Sequence, residues 1–492
     1  MPISLGAALM AIGAGIAVGF SAIGAGIGVG ITGASSAGVT SERPEKFGAA
    51  LIFSAIPQTQ AIYGLLVAVL ILLSAGFFGG LSGEVPVSAG LAGIGAGLAA
   101  GIAGLSSIGQ GIAASSGIAV TANKPEMFGK SVVFSVICET QAIYGLLVAV
   151  LLLVFSGLLS GNFIVSAAVG LAAVGCGLAI GLSGISAIGQ GIAAASGITA
   201  TAENPDMFGR GVVFAAICET QAIYGLLVAI LVMSFTGMFT GSLISTLAAG
   251  VVAIGCGFAV GFAGFSAIGQ GIAASAGIGA TSENSDMFGR GIVFSAICET
   301  QAIYGLLVAV LLMAFTGLIT RDVTTTMAVG FASIGGGLAV GLAGLSAIGQ
   351  GIASSSGIAA TSEKTEMFGK GVVFSAICET QAIYGLLVAI LLMAFTGIIT
   401  HDFITTVAVG VAAIGAGIAV GLGGFSAIGQ GITSAAGIAA TARHPDSMGR
   451  SLVFAAMSET FAIFGLLIAI LILFGLGIFT CLLYTSVAAD EE

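Results

Sequence analysis

The sequence predicts an all-α membrane protein made of six tandem transmembrane helical hairpins. Its 492 residues are 58% hydrophobic and only 7% charged, with a mean hydropathy of +1.20, which lies far outside the range of soluble domains. Apolar runs of about 25 to 30 residues alternate with short polar turns, and runs of this length suit membrane-spanning helices rather than barrel strands. We therefore expect twelve spanning helices.

An internal repeat of about 80 residues organises the chain, and each copy holds two apolar runs. The words ICETQAIYG and close variants return in every copy, with a spacing of 81 residues once and 80 four times. The acidic position of the six copies falls at Gln58, Glu139, Glu219, Glu299, Glu379 and Glu459. The predicted hairpins cover residues 1–82, 83–162, 163–242, 243–322, 323–402 and 403–492.

The two helices of a hairpin differ in composition. The first is rich in glycine, and glycines four residues apart, such as Gly93, Gly97 and Gly101, put a flat strip on one face. This strip favours close packing of the first helices in an inner layer. The second helices are richer in leucine, valine and phenylalanine, and we expect them to face lipid on the outside.

Loop charges predict the orientation of the hairpins. Ten of the eleven Lys and Arg residues lie in the loops within hairpins, and Arg321 is the exception. By the positive-inside rule these loops face the cytoplasm, so both termini and the polar tail at 485–492 lie outside. All six hairpins then enter the membrane in the same orientation, and side-to-side stacking of such units forms a ring or part of one.

Five carboxylates fall in the middle of second helices. Each costs roughly 2.5 to 3.5 kcal/mol on insertion scales, so a set without a role would cost roughly 12 to 18 kcal/mol. The neighbouring Gln, Thr and Tyr residues supply the oxygen ligands that hard cations prefer. The pattern therefore predicts ion or proton sites.

The GQG motif on the first helix and E-T-Q-A-I-Y-G on the second resemble the proteolipid rotor subunit, K or c, of V/A-type rotary ATPases, particularly the sodium-translocating ones. The resemblance covers essentially the whole chain. The usual bacterial V-type proteolipid is similar to two such hairpins, with a carboxylate in the second only, so this chain would be a six-hairpin concatemer. The resemblance implies a cation between neighbouring hairpins, one giving Thr, Gln, a backbone carbonyl and Tyr, the next giving the first-helix Gln and the Glu.

Carried over by position, the resemblance implies five sites, each shared by consecutive hairpins. The carboxylates would be Glu139, Glu219, Glu299, Glu379 and Glu459, and the first-helix amides Gln110, Gln190, Gln270, Gln350 and Gln430. The preceding hairpins would give the pairs Thr59 and Gln60, Thr140 and Gln141, Thr220 and Gln221, Thr300 and Gln301, and Thr380 and Gln381. They would also give the carbonyls of Ile56, Ile137, Ile217, Ile297 and Ile377 and the hydroxyls of Tyr63, Tyr144, Tyr224, Tyr304 and Tyr384.

The exceptions to the pattern fall at the two ends of the chain. Hairpin 1 has Ala25 where the GQG motif has Gln, and Gln58 in place of Glu, whereas hairpin 6 has Phe461 and Phe464 in place of Gln and Tyr. If hairpin 6 of one copy abuts hairpin 1 of the next, all four losses meet at one junction. We expect that junction to bind no ion.

The resemblance implies a rotor in which each Glu releases its ion where a stator subunit of the a or I type, bearing an Arg, supplies a polar half-channel. The implied partners are other copies in a ring, this stator, central-stalk subunits gripping the cytoplasmic loops, and membrane lipid. The motif GxxxxGK[ST] does not occur, so we expect a non-catalytic subunit of an ATP-driven complex in the cell membrane, with no cofactor and no nucleic-acid partner.

Alternatives concern the ion and the class of transporter. A proton needs only the carboxylate and one hydrogen-bond partner, so the additional Gln and Thr ligands favour Na+, while an H+-specific rotor stays open. A self-contained secondary ion transporter with internal repeats would gather one site between two halves, rather than spread five along the chain. A structural scaffold would have no use for five buried carboxylates.

Overall fold

The computed structural model of the protein describes residues 3–79, 84–323, 325–403 and 405–476. Every regular element within these ranges is helical. The predicted boundary between hairpins 1 and 2 at residues 82 and 83, and the polar tail at 485–492, lie outside the described residues.

Six hairpins follow one another along the chain. Their first helices are Leu5–Glu42, Val87–Asn123, Ala167–Glu203, Leu247–Glu283, Met327–Glu363 and Val407–Arg443. The second helices of hairpins 1 to 5 are Pro44–Ser74, Pro125–Phe155, Met207–Phe235, Met287–Phe315 and Met367–Phe395. In hairpin 6 the second helix has two pieces, Pro445–Met457 and Thr460–Gly475, with a bend of 43°. Among the described residues, eleven helices are long and apolar enough to cross a membrane, or twelve if the bent pair is one span, which confirms an all-α, multi-pass membrane protein.

First helices pack against one another in chain order and form an inner layer, and each second helix packs on this layer from outside. We call them inner and outer helices. Glycine permits the close approach: a Cβ added at Gly97 would lie 2.1 Å from the carbonyl oxygen of Gly13, and one at Gly109 would lie 1.9 Å from that of Ala187. Outer helices leave side chains such as Ile143 exposed. The predicted inner layer of glycine-rich helices is confirmed.

Basic loop residues tie hairpins 1, 2 and 5 to the hairpin that follows each of them. The side chains of Arg43 and Lys124 donate to the carbonyl oxygens of Ala122 and Ala202. Lys364 likewise donates to the Ala442 carbonyl over 2.6 Å. These carbonyls belong to the last turn of an inner helix, where the helix dipole favours a cation.

Short interruptions divide most of the helices near their middles. Inner helices have 3₁₀ turns at Gly104–Ser106, Gly184–Ser186, Gly344–Ser346 and Gly424–Ser426, and hairpin 4 has a turn at 264–265. Outer helices have 3₁₀ turns at Ile56–Gln58, Ile137–Glu139, Ile217–Glu219, Ile297–Glu299 and Ile377–Glu379. The inner helix of hairpin 1 is instead a continuous α-helix from Leu5 to Glu42.

This continuous helix changes the alignment of hairpin 1 with the others. A 3₁₀ turn rises about 2.0 Å per residue against about 1.5 Å in an α-helix, so it covers the same height with fewer residues. Before the level at which the later inner helices are interrupted, Gly13 corresponds to Gly95, which is 82 residues further along the chain. On the other side Gly28 takes the place of Gly109, only 81 residues on, because Gly28 meets hairpin 2 as Gly109 meets hairpin 3.

The assignment of Ala25 to the first-helix glutamine position is therefore wrong. Val29 takes the place of Gln110, and it precedes Gln58 by the same 29 residues that separate Gln110 from Glu139. The letters SAIGAG in hairpin 1 copy the SAIGQG of later hairpins, but they lie one helical turn away. Hairpin 1 still has no amide at this position, because Val29 is apolar.

Candidate ion sites between the hairpins

Each glutamate of hairpins 2 to 5 is the last residue of the 3₁₀ turn in its outer helix. Mid-helix 3₁₀ turns break the regular backbone hydrogen-bond ladder and often mark functional positions. At Ile137–Glu139 the freed backbone is used locally, because the Thr140 hydroxyl donates to the Ile137 carbonyl over 3.1 Å. The turn thus places a carboxylate, a hydroxyl and a carbonyl within one stretch of helix.

One connected network joins hairpins 2 and 3. The Tyr144 hydroxyl donates to Oε1 of Glu219 over 2.6 Å, and Nε2 of Gln190 faces Oε2 of the same carboxylate over 3.3 Å. Nε2 of Gln141 donates to Oε1 of Gln190 over 2.7 Å, while the Thr140 hydroxyl donates to Oε1 of Gln141 over 3.2 Å. Hairpin 2 therefore supplies Thr, Gln and Tyr, and hairpin 3 supplies Gln and Glu.

Three more junctions repeat this network. The Tyr-to-Glu bonds are Tyr63 to Glu139 at 2.5 Å, Tyr224 to Glu299 at 2.7 Å and Tyr304 to Glu379 at 2.6 Å. The Gln-to-Glu bonds are Gln110 to Glu139 at 3.4 Å, Gln270 to Glu299 at 3.3 Å and Gln350 to Glu379 at 3.4 Å. The Gln-to-Gln bonds, all 2.7 Å, are Gln60 to Gln110, Gln221 to Gln270 and Gln301 to Gln350. The Thr-to-carbonyl bonds are Thr59 to Ile56 at 3.3 Å, Thr220 to Ile217 at 3.0 Å and Thr300 to Ile297 at 3.1 Å.

The fifth junction, between hairpins 5 and 6, has a looser network. Tyr384 donates to Glu459, and Gln381 donates to Gln430 over 2.6 Å. The Thr380 hydroxyl donates to the Ile377 carbonyl over 3.0 Å. Nε2 of Gln430, however, is buried without a hydrogen-bond partner. Glu459 lies at the bend of its outer helix instead of in a 3₁₀ turn, so its carboxylate is held from one side only.

The donor set suits a small hard cation or a proton. All ten glutamines of the five networks have no exposed surface, whereas the carboxylates are partly buried. Each network offers only oxygen ligands: carboxylate, two amide oxygens, hydroxyls and a backbone carbonyl. Within the described ranges, no three His, Cys, Asp or Glu side chains come together as a transition metal would need.

The chain ends present altered halves of a site. Gln58 is exposed, and its Nε2 lies 3.5 Å from the carbonyl of Ser54 in its own helix. Phe461 and Phe464 are 64% and 55% exposed, and their rings meet edge to face at 6.1 Å. Among the described residues of one copy, no hairpin lies beside either end to complete a junction.

Sequence reasoning missed a set of serines beside the networks. Each lies at the interruption of an inner helix, one turn before the first-helix glutamine, and its buried hydroxyl has no hydrogen-bond partner. A constant separation of 33 residues from each glutamate could have identified them, and the residue 33 positions before Gln58 is Ala25. The serines are Ser106, Ser186, Ser266, Ser346 and Ser426.

The fold and these networks define a class of membrane protein: tandem helical hairpins that share buried carboxylates between neighbours. The family model for the ATP synthase C subunit matches the chain six times. The matched residues are 12–71, 94–152, 174–232, 254–312, 327–392 and 406–472. The chain belongs to this family of ATP synthase C subunits.

Curated relatives are shorter than this chain. The A-type ATP synthase subunit K of Methanocaldococcus jannaschii is 55% identical over 222 residues, which are 45% of this chain and 94% of the relative. The V-type sodium ATPase subunit K of Enterococcus hirae is 39% identical over 134 residues, 27% of this chain and 82% of the relative. The 16 kDa proteolipid of the V-type proton ATPase of Nephrops norvegicus is 33% identical over 127 residues, 25% of this chain and 78% of the relative.

Proposed function

We propose that this chain is an ion-carrying rotor subunit of a membrane rotary ATPase or ATP synthase of the A/V type. One observation carries the proposal: each of five membrane-embedded carboxylates accepts a hydrogen bond from a tyrosine of the preceding hairpin. Such a site suits an ion that stays with the rotor between loading and release. It does not suit a single central pathway, which a secondary transporter would need.

We further propose that the ion is Na+. A proton would be held by the carboxylate and one partner, whereas each junction also places Thr and two Gln side chains in the same network. A sodium ion must exchange its water for several oxygens, and this set provides them. Names of relatives include both sodium and proton ATPases, so they leave the choice to the site chemistry.

In the proposed cycle, the bound cation neutralises each glutamate while the junction faces lipid, because a bare carboxylate there is costly. The ion leaves where a stator subunit of the a or I type, with an opposing Arg, provides a polar half-channel. The basic loops within hairpins face the cytoplasm and bind central-stalk subunits. Both termini lie on the outer side of the cell membrane. In this proposal, ATP is bound by other subunits of the complex.

The test is carbodiimide labelling of the purified protein at mildly acidic pH, with each carboxylate followed separately by mass spectrometry. Millimolar Na+ should slow modification of Glu139, Glu219, Glu299, Glu379 and Glu459, while equal K+ serves as the control. If labelling depends on pH alone, the protein is an H+ rotor and the Gln and Thr groups hydrogen-bond a protonated glutamate. Co-purification with soluble ATP-hydrolysing subunits would separate either rotor from a self-contained transporter.

A further inference from the structure

Hairpins 1 and 6 have glycines without a neighbouring hairpin at positions where interior hairpins contact one another. In hairpin 2, on the side facing hairpin 1, an added Cβ would clash with a carbonyl oxygen of hairpin 1, at 2.1 Å from Gly97 and 2.4 Å from Gly111. The corresponding glycines of hairpin 1, Gly15 and Gly30, have nothing within 4 Å. Glycine in a helix costs about 1 kcal/mol relative to alanine, so these positions favour a close neighbour.

The opposite edge, on hairpin 6, has matching glycines. An added Cβ would lie 2.3 Å from a carbonyl oxygen of the next hairpin at Gly335 and 1.8 Å at Gly349. The corresponding Gly415 and Gly429 meet only side-chain atoms of their own hairpin, at 3.9 Å and 3.5 Å or farther. The edge of hairpin 6 thus has the shape that every interior hairpin uses to contact its successor.

Large apolar side chains are exposed on the same edges. Phe374 has no exposed surface, because the next hairpin covers it, whereas its counterpart Phe454 in hairpin 6 is 62% exposed. Four interior junctions pair such a ring with a phenylalanine of the next hairpin, as in Phe214 with Phe288 at 5.5 Å. Phe47 is the counterpart of Phe288 in hairpin 1, and it is 59% exposed.

We propose that hairpin 6 of one copy packs against hairpin 1 of a second copy, and that this seam is an apolar junction that binds no ion. The glycines continue a contact that the chain already uses at five junctions, and the phenylalanines continue one that it uses at four. The second half of the proposal rests on the proposed function, because it concerns which junctions carry ions.

Substitutions on the two sides of the seam match in chemistry. Leaving one buried polar partner unpaired costs about 1–3 kcal/mol, whereas replacing both partners by apolar groups is nearly neutral. Hairpin 6 has lost the donor amide and hydroxyl, through Phe461 and Phe464, and hairpin 1 has lost the facing amide and carboxylate, through Val29 and Gln58. A glutamate at position 58 would lack both the tyrosine hydroxyl and the glutamine amide that contact the carboxylates of hairpins 2 to 5.

At one level the seam must differ from the interior junctions. Gly437 receives the Phe374 ring, with an added Cβ 2.9 Å from it, but hairpin 1 has Ser36 at the corresponding position. The Ser36 hydroxyl lies 3.0 Å from that of Ser54 and partly fills the space that the phenylalanine ring occupies in the interior junctions. Phe454 therefore sits less deeply at the seam than Phe374 does within the chain.

Cross-linking tests the contact. The double variant Phe47→Cys with Phe454→Cys should join two copies through a bifunctional maleimide and double the mass in denaturing gels. Each single variant should not. The matched interior pair Phe214→Cys with Phe288→Cys should react within one copy and leave the mass unchanged. If the interior pair reacts and the end pair does not, or if the end pair captures a shorter proteolipid, the seam between copies is refuted.

A gain-of-site variant tests the chemistry. The quadruple change Val29→Gln, Gln58→Glu, Phe461→Gln and Phe464→Tyr should extend sodium protection from carbodiimide from five carboxylates to six. Gln58→Glu alone should react without protection by sodium. Protection of position 58 in the single variant, or its absence in a quadruple variant that still cross-links, would overturn the ion-free seam. If the five native glutamates are not protected, it is the proposed function that fails.

Discussion

Replacing Gln190 by Met tests whether the network is a ligand shell. Methionine has nearly the same length, so it fills a site in which Gln190 has no exposed surface. The change removes the acceptor of Gln141 at 2.7 Å and the amide facing Glu219 at 3.3 Å. Losing one polar contact to a charged group costs about 1.5–3 kcal/mol, which corresponds to roughly 10- to 150-fold weaker sodium binding.

The assay follows carbodiimide modification of each glutamate against sodium concentration by mass spectrometry. The half-protecting concentration should rise roughly 10- to 150-fold at Glu219. It should stay unchanged at Glu299 and Glu379, which serve as controls within the same chain. Gln58→Met provides a matched substitution outside all five sites and should change none of them. An unchanged value at Glu219 would refute the ligand role of Gln190, and a shift at all five sites would indicate a general structural effect.

Three further predictions concern packing, the tyrosine hydroxyl and backbone strain. Gly271→Ala places a Cβ 2.1 Å from a neighbouring carbonyl oxygen and should lower the stability of the protein by about 1–3 kcal/mol, measured by thermal melting in detergent. Gly279→Ala in the same helix, where an added Cβ meets nothing within 4 Å, should be neutral or stabilising. Equal effects of the two variants would contradict the packing. Tyr304→Phe removes the 2.6 Å bond to Glu379 and should weaken sodium protection there alone, by roughly 10- to 150-fold. His401 has φ 58° where two earlier hairpins have glycine, so His401→Gly should raise stability by about 1 kcal/mol, and a lower melting temperature would refute the strain.

Much of the fold follows from the sequence because the repeat states the same information six times. A carboxylate such as Glu139, with the same neighbours in most copies, fixes the helix pairs and the level in the membrane at which they meet. The pairing of Tyr144 with Glu219, across about 75 residues, came from the family resemblance and not from the spacing of apolar residues. The structure brings both side chains together as that resemblance implied.

Features that depend on exact helix geometry could not be read from the letters. The motif SAIGAG led to Ala25, although Val29 occupies the glutamine position, because one 3₁₀ turn alters the residue count along the helix. The letters Gly-x-Ser of the inner turns also occur at residues 19–21 of hairpin 1, where the helix is continuous. The 43° bend beside Glu459 likewise was not predicted from the sequence.

Joining the hairpins in one polypeptide gives every site its own codons. In a ring assembled from many copies of one short hairpin chain, a single change in the gene alters all the sites at once. Here a mutation at Gln270 alters one site per chain and leaves the other four as they were. Individual sites can therefore diverge under selection, and the loss at Gln58 and the aromatic replacements at Phe461 and Phe464 are differences that only such independent inheritance allows.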